Sequence, residues 1–154
     1  MMAAIKGNEL HTASLEGNLK TVKALLAQGD DINVNQRDQY QFCPLHYASM
    51  AGHMDVVEAL VAAGANVNMK ERVHGKTPIH LATDRGHFPV VNFFLNNGGN
   101  AKKAAADGTS PMDYAYKENV HIEKRKETKQ RLEKIIKQHR LFLDTFGLNF
   151  FFQM

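Results

Sequence analysis

Only one cysteine, Cys43, occurs in 154 residues, so the chain can form no internal disulfide. A secreted protein of this size would more often carry several, which points to a reducing compartment. Long apolar runs are also missing. No stretch approaches the roughly 18 to 20 residues needed to span a bilayer, and the most apolar piece, Leu141 to Met154, is short and contains Asp144. Met1 to Leu10 has one lysine and no apolar centre, and does not read as a signal peptide. These absences lead us to expect a soluble intracellular protein, cytoplasmic in the first instance, with membership of an organelle or cytoskeletal assembly as the alternative.

Catalytic signatures are absent as well. There is no Gly-rich phosphate loop, no Gly-x-Ser-x-Gly elbow and no Cys-x-x-Cys pair. Gly98-Gly99 is too little for a nucleotide loop. No set of residues meets the geometric needs of catalysis, and we expect no enzyme, cofactor or metal. A coherent basic face is lacking too. The net charge is +3, but residues 1–117 balance 11 Lys and Arg against 11 Asp and Glu, and the excess sits in residues 118–154, with 8 against 5. That pattern argues against nucleic acid as the partner. With 44% hydrophobic and 23% charged residues, the composition is that of a folded domain.

What the chain does have is self-similarity. Leu10-His11-Thr12-Ala13, Leu45-His46-Tyr47-Ala48, Ile79-His80-Leu81-Ala82 and Met112-Asp113-Tyr114-Ala115 align at offsets of 35, 34 and 33 residues. Gly17, Gly52 and Gly86 follow in register, with Asn119 in the fourth slot, and Gly29, Gly64 and Gly98 form a second set. Each unit reads as two short helices. Thr77 is suited to cap a helix and Pro78 to open it; Ser110-Pro111 repeats this, Cys43-Pro44 has a poor cap, and Asn8-Glu9 has a cap without proline. The second helix of a unit carries Val56-Val57 and Leu60-Val61 on one face, matched by Val90-Val91 and Phe94-Leu95. Such a pair is too short to bury its apolar face alone, so neighbours must stack.

Thr77-Pro78-Ile79-His80-Leu81-Ala82, with Gly75 before and Gly86-His87 after, resembles the ankyrin repeat signature, as does Gly64-Ala65-Asn66-Val67-Asn68. The resemblance covers about residues 7–119. It implies an all-α repeat solenoid of about four ankyrin repeats, helix-turn-helix pairs with β-hairpin-like fingers, followed by an extended C-terminal helix. Units are expected near residues 7–40, 41–74, 75–107 and from 108 onward. Residues 120–154 are expected to form an altered capping helix with an aromatic tail. The departures are specific: Gln41 replaces the usual finger glycine, one extra residue falls within Met69 to Gly75, and Asp113 replaces the signature histidine. Placing Arg131-Leu132 and Ile135-Ile136 in the register of Val56-Val57 and Leu60-Val61 needs about eight extra residues after Asn119.

Eight histidines invite a metal reading. His11, His46 and His80 share one repeat position, and His53 and His87 share another. This spacing suits imidazoles that tie neighbouring turns together, whereas metal ligands must converge on one point. His74, His121 and His139 are isolated. Cys43 sits at a helix start, where packing is its expected role.

The resemblance also implies that a partner protein is bound by the finger tips and the exposed side of each first helix. The finger positions are Arg37, Gln39, Tyr40 and Phe42, then Glu71, Arg72, Val73 and Lys76, then Lys102 and Lys103. The helix positions are Leu15 and Glu16, Tyr47 and Met50, Leu81, Asp84 and Arg85, and Tyr114 and Lys117. For Tyr47, Leu81 and Tyr114, partial burial between repeats is an equal alternative. An adaptor or inhibitor would use this concave surface. A permanent accessory subunit of a larger complex would instead be anchored by the C-terminal helix, whose Glu127–Arg131, Lys129–Glu133 and Glu133–Lys137 pairs suit an exposed helix, and by the tail.

Phe146, Leu148, Phe150, Phe151 and Phe152 crowd the last nine residues. Burying one Phe is worth about 1.5 to 3 kcal/mol, so the cluster is expected to leave water, folding back over the stack or entering a partner. A chain cut after Arg140 should therefore melt at a lower temperature than the full chain. An unchanged melting temperature with lost partner binding would instead identify an anchor.

Overall fold

A computed structural model of the chain describes residues 2–114, 130, 131 and 133–138. Seven helices follow one another: α1 (Met2–Glu16), α2 (Leu19–Leu26), α3 (Pro44–Ala51), α4 (Met54–Ala62), α5 (Pro78–Asp84), α6 (Phe88–Asn96) and α7 (Pro111–Tyr114). No strand occurs among the described residues. α1 contacts α3, α3 contacts α5 and α5 contacts α7, while α2, α4 and α6 make a second row. The result is an all-α solenoid of two helical layers.

Between the layers lies one continuous core. Leu10, Val22, Leu45, Val56, Val57, Leu60, Ile79, Val91 and Phe94 are completely buried, so the apolar face expected on α4 and α6 points inward. At about 1.5 to 3 kcal/mol for each such side chain, this core is the main source of stability.

Local chemistry sets where the helices begin. Pro44 and Pro78 open α3 and α5, where a missing N–H leaves no bond unmade. The N–H of Cys43 donates to His46 Nδ1 at 3.1 Å, and that of Thr77 to His80 Nδ1 at 3.0 Å. The histidine thus supplies the returning half of a capping box, and repairs the poor cap expected at Cys43. Because Nδ1 accepts, the ring hydrogen must reside on Nε2. From there His46 donates to the carbonyls of Met69 (2.9 Å) and Lys76 (3.3 Å), on the two sides of the next interhelical loop. His80 donates to Thr109 (3.2 Å) in the same way, and His11 bridges Gln36 (3.0 Å) and Phe42 (3.1 Å).

The second histidine set works in the opposite direction along the chain. His53 Nε2 meets the Leu15 carbonyl at 3.1 Å, and His87 Nε2 meets that of Met50 at 3.0 Å. Their rings lie so close to Gly17 and Gly52 that a Cβ there would come within 2.6 and 2.5 Å. Both glycines also hold a left-handed φ, 72° and 80°, so glycine is required twice over.

One expectation changes at the first helix. α1 runs from Met2, so Asn8 lies inside a helix rather than capping one. No proline stands at the start of this unit, and Met2-Ala3-Ala4-Ile5-Lys6 contains good helix formers that carry the helix through Asn8. In the fourth unit, Ser110 donates its N–H and its hydroxyl to Asp113 Oδ2, both at 2.7 Å, so the cap survives loss of the histidine. Residues 130, 131 and 133–138 are helical. Ile135 and Ile136 pack against the core, and Arg131 stands over the Phe88 ring of α6 at 5.7 Å. Lys117 and the tail residues Phe146, Leu148, Phe150, Phe151 and Phe152 lie outside the described residues.

Burial pushes the His46 imidazole down to about 4, against the pull of its two carbonyl bonds, and burial also lowers His80. An unfolded histidine takes a proton near 6.5, so in the interval the unfolded chain binds more protons. The stabilisation is complete above that pH and is lost as pH falls toward 4. For His46, going from pH 7 to pH 5 should cost about 2 kcal/mol in denaturant unfolding. His46→Ala should be less stable than the native chain at pH 7, yet show a shallower decline over this range. Separately, Gln41 adopts φ 67° where Gly75 and Gly108 stand in the next two units. Gln41→Gly should raise stability by roughly 0.5 to 1 kcal/mol, read as a higher melting temperature.

Candidate protein-binding surface

The loops from α2 to α3, α4 to α5 and α6 to α7 each close on a short hairpin, here called a finger. In the first, the Asp38 N–H donates to the Phe42 carbonyl at 2.9 Å. In the second, Glu71 donates to Lys76 at 2.9 Å, and in the third, Ala105 donates to Thr109 at 2.7 Å. A backbone that turns this tightly leaves N–H groups pointing inward, and an acidic side chain collects them in every finger.

Asp38 Oδ1 accepts from the N–H groups of Tyr40 (2.9 Å) and Phe42 (3.0 Å). Its other oxygen accepts the Tyr47 hydroxyl of α3 at 2.6 Å, which joins finger to helix. Burial and this bond to a carboxylate both hold the Tyr47 phenol well above its ordinary pKa. Phe42 turns inward, its ring 5.5 Å from His46 and 5.6 Å from Tyr47. Tyr40 is left pointing outward.

The second finger carries the extra residue noted within Met69 to Gly75, and Glu71 is the accommodation. Its carboxylate accepts from Val73 (2.6 Å), His74 (2.7 Å) and Lys76 (3.0 Å). Glutamate, one methylene longer than aspartate, reaches across a loop one residue wider. Burial alone would raise its pKa, but the three N–H donors together take it below the usual carboxylate value. Glu71 was expected at the tip; it is buried, because these donors hold it there. In the third finger Asp107 accepts the N–H and hydroxyl of Thr109.

Neighbouring fingers are linked by a ladder of side chains to carbonyls. Arg37 reaches Lys70 O at 2.6 Å, Lys70 Nζ reaches Ala104 O at 2.6 Å, and Lys103 Nζ returns to Asn68 O at 3.2 Å. Behind them Asn35 Nδ2 donates to Gly64 O at 3.2 Å, and Asn68 Nδ2 to Gly98 O at 2.8 Å. Arg37, Lys70 and Lys103 therefore hold the row together while keeping their charge.

Where the first finger faces α1 and α3, a pocket of about 290 Å³ opens, lined by His11, Thr12, Leu15, Asp38, Gln39, Tyr40 and Tyr47. Tyr40 and Tyr47, expected as contact positions, come together here. Arg72, Lys102, Asp84 and Arg85 are exposed, the last two forming a 4.0 Å pair. Met50, Lys76, Lys103 and Arg37 are half-buried. For Leu81 burial between repeats holds, and its use as an exposed contact does not: it is 7% exposed, because α5 is covered by the helices stacked on either side of it. The side chain of Tyr114 lies outside the described residues. His11, Thr12 and Asp38 were not among the expected contacts. The signal for Asp38 was the Asp-x-Tyr turn ahead of Pro44, which reads as a loop cap.

Among the described residues no group of three or more His, Cys, Asp or Glu is placed to hold a metal ion, and no helix is long and apolar enough to cross a membrane. Cys43 is a buried thiol whose pKa burial raises, and its sulfur lies 2.8 Å from His46 Nδ1 as part of the helix cap.

Comparison with protein families agrees with this geometry. A model for ankyrin repeats in three copies matches residues 2–71, and a single ankyrin repeat matches residues 74–108. No curated protein matches the chain. Repeats of this kind are generally protein–protein interaction modules. On the repeat-locked histidines, the linked fingers and these matches, the chain belongs to the ankyrin-repeat family.

Proposed function

We propose that the protein binds a partner protein through the concave surface made by its fingers and first-layer helices, acting as an adaptor or inhibitor. One observation carries this reading. The large hydrophobic side chains exposed among the described residues are Leu15 (43%), Tyr40 (63%) and Val73 (62%). One stands on α1 and two on finger tips, and Leu15 and Tyr40 line the same pocket. Exposed apolar groups gathered beside a pocket favour a contact surface over chance scatter, and tyrosine is enriched at the energetic centres of interfaces.

The alternative, a permanent subunit of a larger assembly anchored by its C-terminal helix, has less support. Arg131, Ile135 and Ile136 are engaged with the protein's own second layer, as in a cap. A cap over residues 120–154, closing a stack of units near 7–40, 41–74, 75–107 and from 108, is the organisation we favour.

Leu15→Ala and Tyr40→Ala should each weaken the partner by roughly 1 to 2 kcal/mol. In paired affinity purifications from native cell extract, the double variant should recover at least tenfold less of the protein that copurifies with the native chain. Equal recovery would move the interface elsewhere.

A further inference from the structure

The fingers differ from the rest of the stack in charge. Residues 36–42, 69–76 and 101–109 hold six of the 11 Lys and Arg in residues 1–117, but only three of the 11 Asp and Glu. The finger row thus has an excess of three positive charges and the remainder an equal negative excess. All three finger acids, Asp38, Glu71 and Asp107, are turned to their own loop N–H groups. Arg37, Lys70 and Lys103 donate to neutral carbonyls rather than to carboxylates. No ion pair engages Arg72 or Lys102 among the described residues, and both are exposed. The acids are consumed by folding, and Arg72 and Lys102 remain exposed at the tips.

We propose that the finger row receives an acidic, extended peptide segment of the partner, with an apolar side chain at one end seated in the pocket beside Leu15 and Tyr40. This rests on the concave-surface reading above. Stacked helices lie about 8–10 Å apart, and an extended chain rises about 3.3 Å per residue, so successive fingers face about every third residue of such a peptide. The expected motif is an apolar anchor followed by Asp or Glu at intervals of about three, the carboxylates facing Arg72 of the second finger and Lys102 of the third. Arginine is suited to a forked contact with carboxylate. Nucleic acid shares the negative charge, but single strands bind through successive aromatic stacking platforms, and Tyr40 is the one exposed Phe or Tyr ring among the residues whose side chains are described.

A random peptide library displayed on phage and selected on the full chain tests the inference. Enriched peptides should carry acidic residues at a spacing of about three, with one apolar anchor. By fluorescence anisotropy, a synthetic representative should bind at least tenfold more weakly to Arg72→Glu/Lys102→Glu, and more weakly to the native chain as salt rises. Leu15→Ala/Tyr40→Ala should also weaken it. Both pairs alter exposed side chains, and circular dichroism should confirm native helix content. Enriched peptides without acidic residues that still depend on Leu15 and Tyr40 would overturn this inference and leave the concave surface standing. Peptides indifferent to both variant pairs would overturn both. No enrichment, or tighter binding of a single-stranded DNA of equal charge, would also overturn it.

Discussion

A neutral imidazole with its hydrogen fixed on Nε2 joins the second and third helix pairs to the fingers that follow, at His46 and His80. Most of the architecture serves to keep it so. The backbone N–H at the helix start occupies Nδ1, which leaves Nε2 to donate. Proline at the first turn and glycine at the helix end bring the ring to its place. Burial removes the competing proton and also makes the bonds necessary, since finger carbonyls out of reach of water need a partner. At His46 one ring satisfies a helix cap and both sides of a loop. Regular spacing of about 34 residues is therefore a consequence of reach: a finger displaced by one residue would present the wrong atom to the ring.

The fingers tolerate more variation than the helices because each closes its own turn. Asp38 gathers two N–H groups and a tyrosine hydroxyl, while Glu71 gathers three N–H groups across a wider loop. Insertion of a residue is thereby absorbed within one finger, and the ladder through Arg37 and Lys70 continues past it. Stability and recognition are separated in space: inward groups close the loop, and outward ones such as Tyr40, Arg72 and Val73 are free to be chosen for a partner.

This separation explains what could be read in advance. The solenoid, the inward faces of α4 and α6 and the structural use of the histidines were legible, because each repeats and each is imposed by packing. The cap at Cys43 was misjudged because its strength comes from His46, three residues on. Asn8 resembled a cap in isolation, but the helix formers Met2 to Lys6 ahead of it extend the helix through its position. Glu71 was placed at a finger tip by analogy of position, and for Leu81 position alone left exposure and burial equally open. The former is held inward by three N–H groups and the latter by flanking helices, and neither influence is a property of a single residue type.

Asp113 separates two jobs that the histidines combine. A carboxylate caps its own helix well, since it accepts from Ser110 twice, but it has no hydrogen to give to a carbonyl beyond it. A histidine in this position, as at His46 and His80, donates to a carbonyl of the following loop, so the carboxylate exchanges a bond between units for bonds within one turn. The first turn of α7 is thereby closed by its own residues, and the task of joining α7 to α5 falls on packing rather than on a shared imidazole.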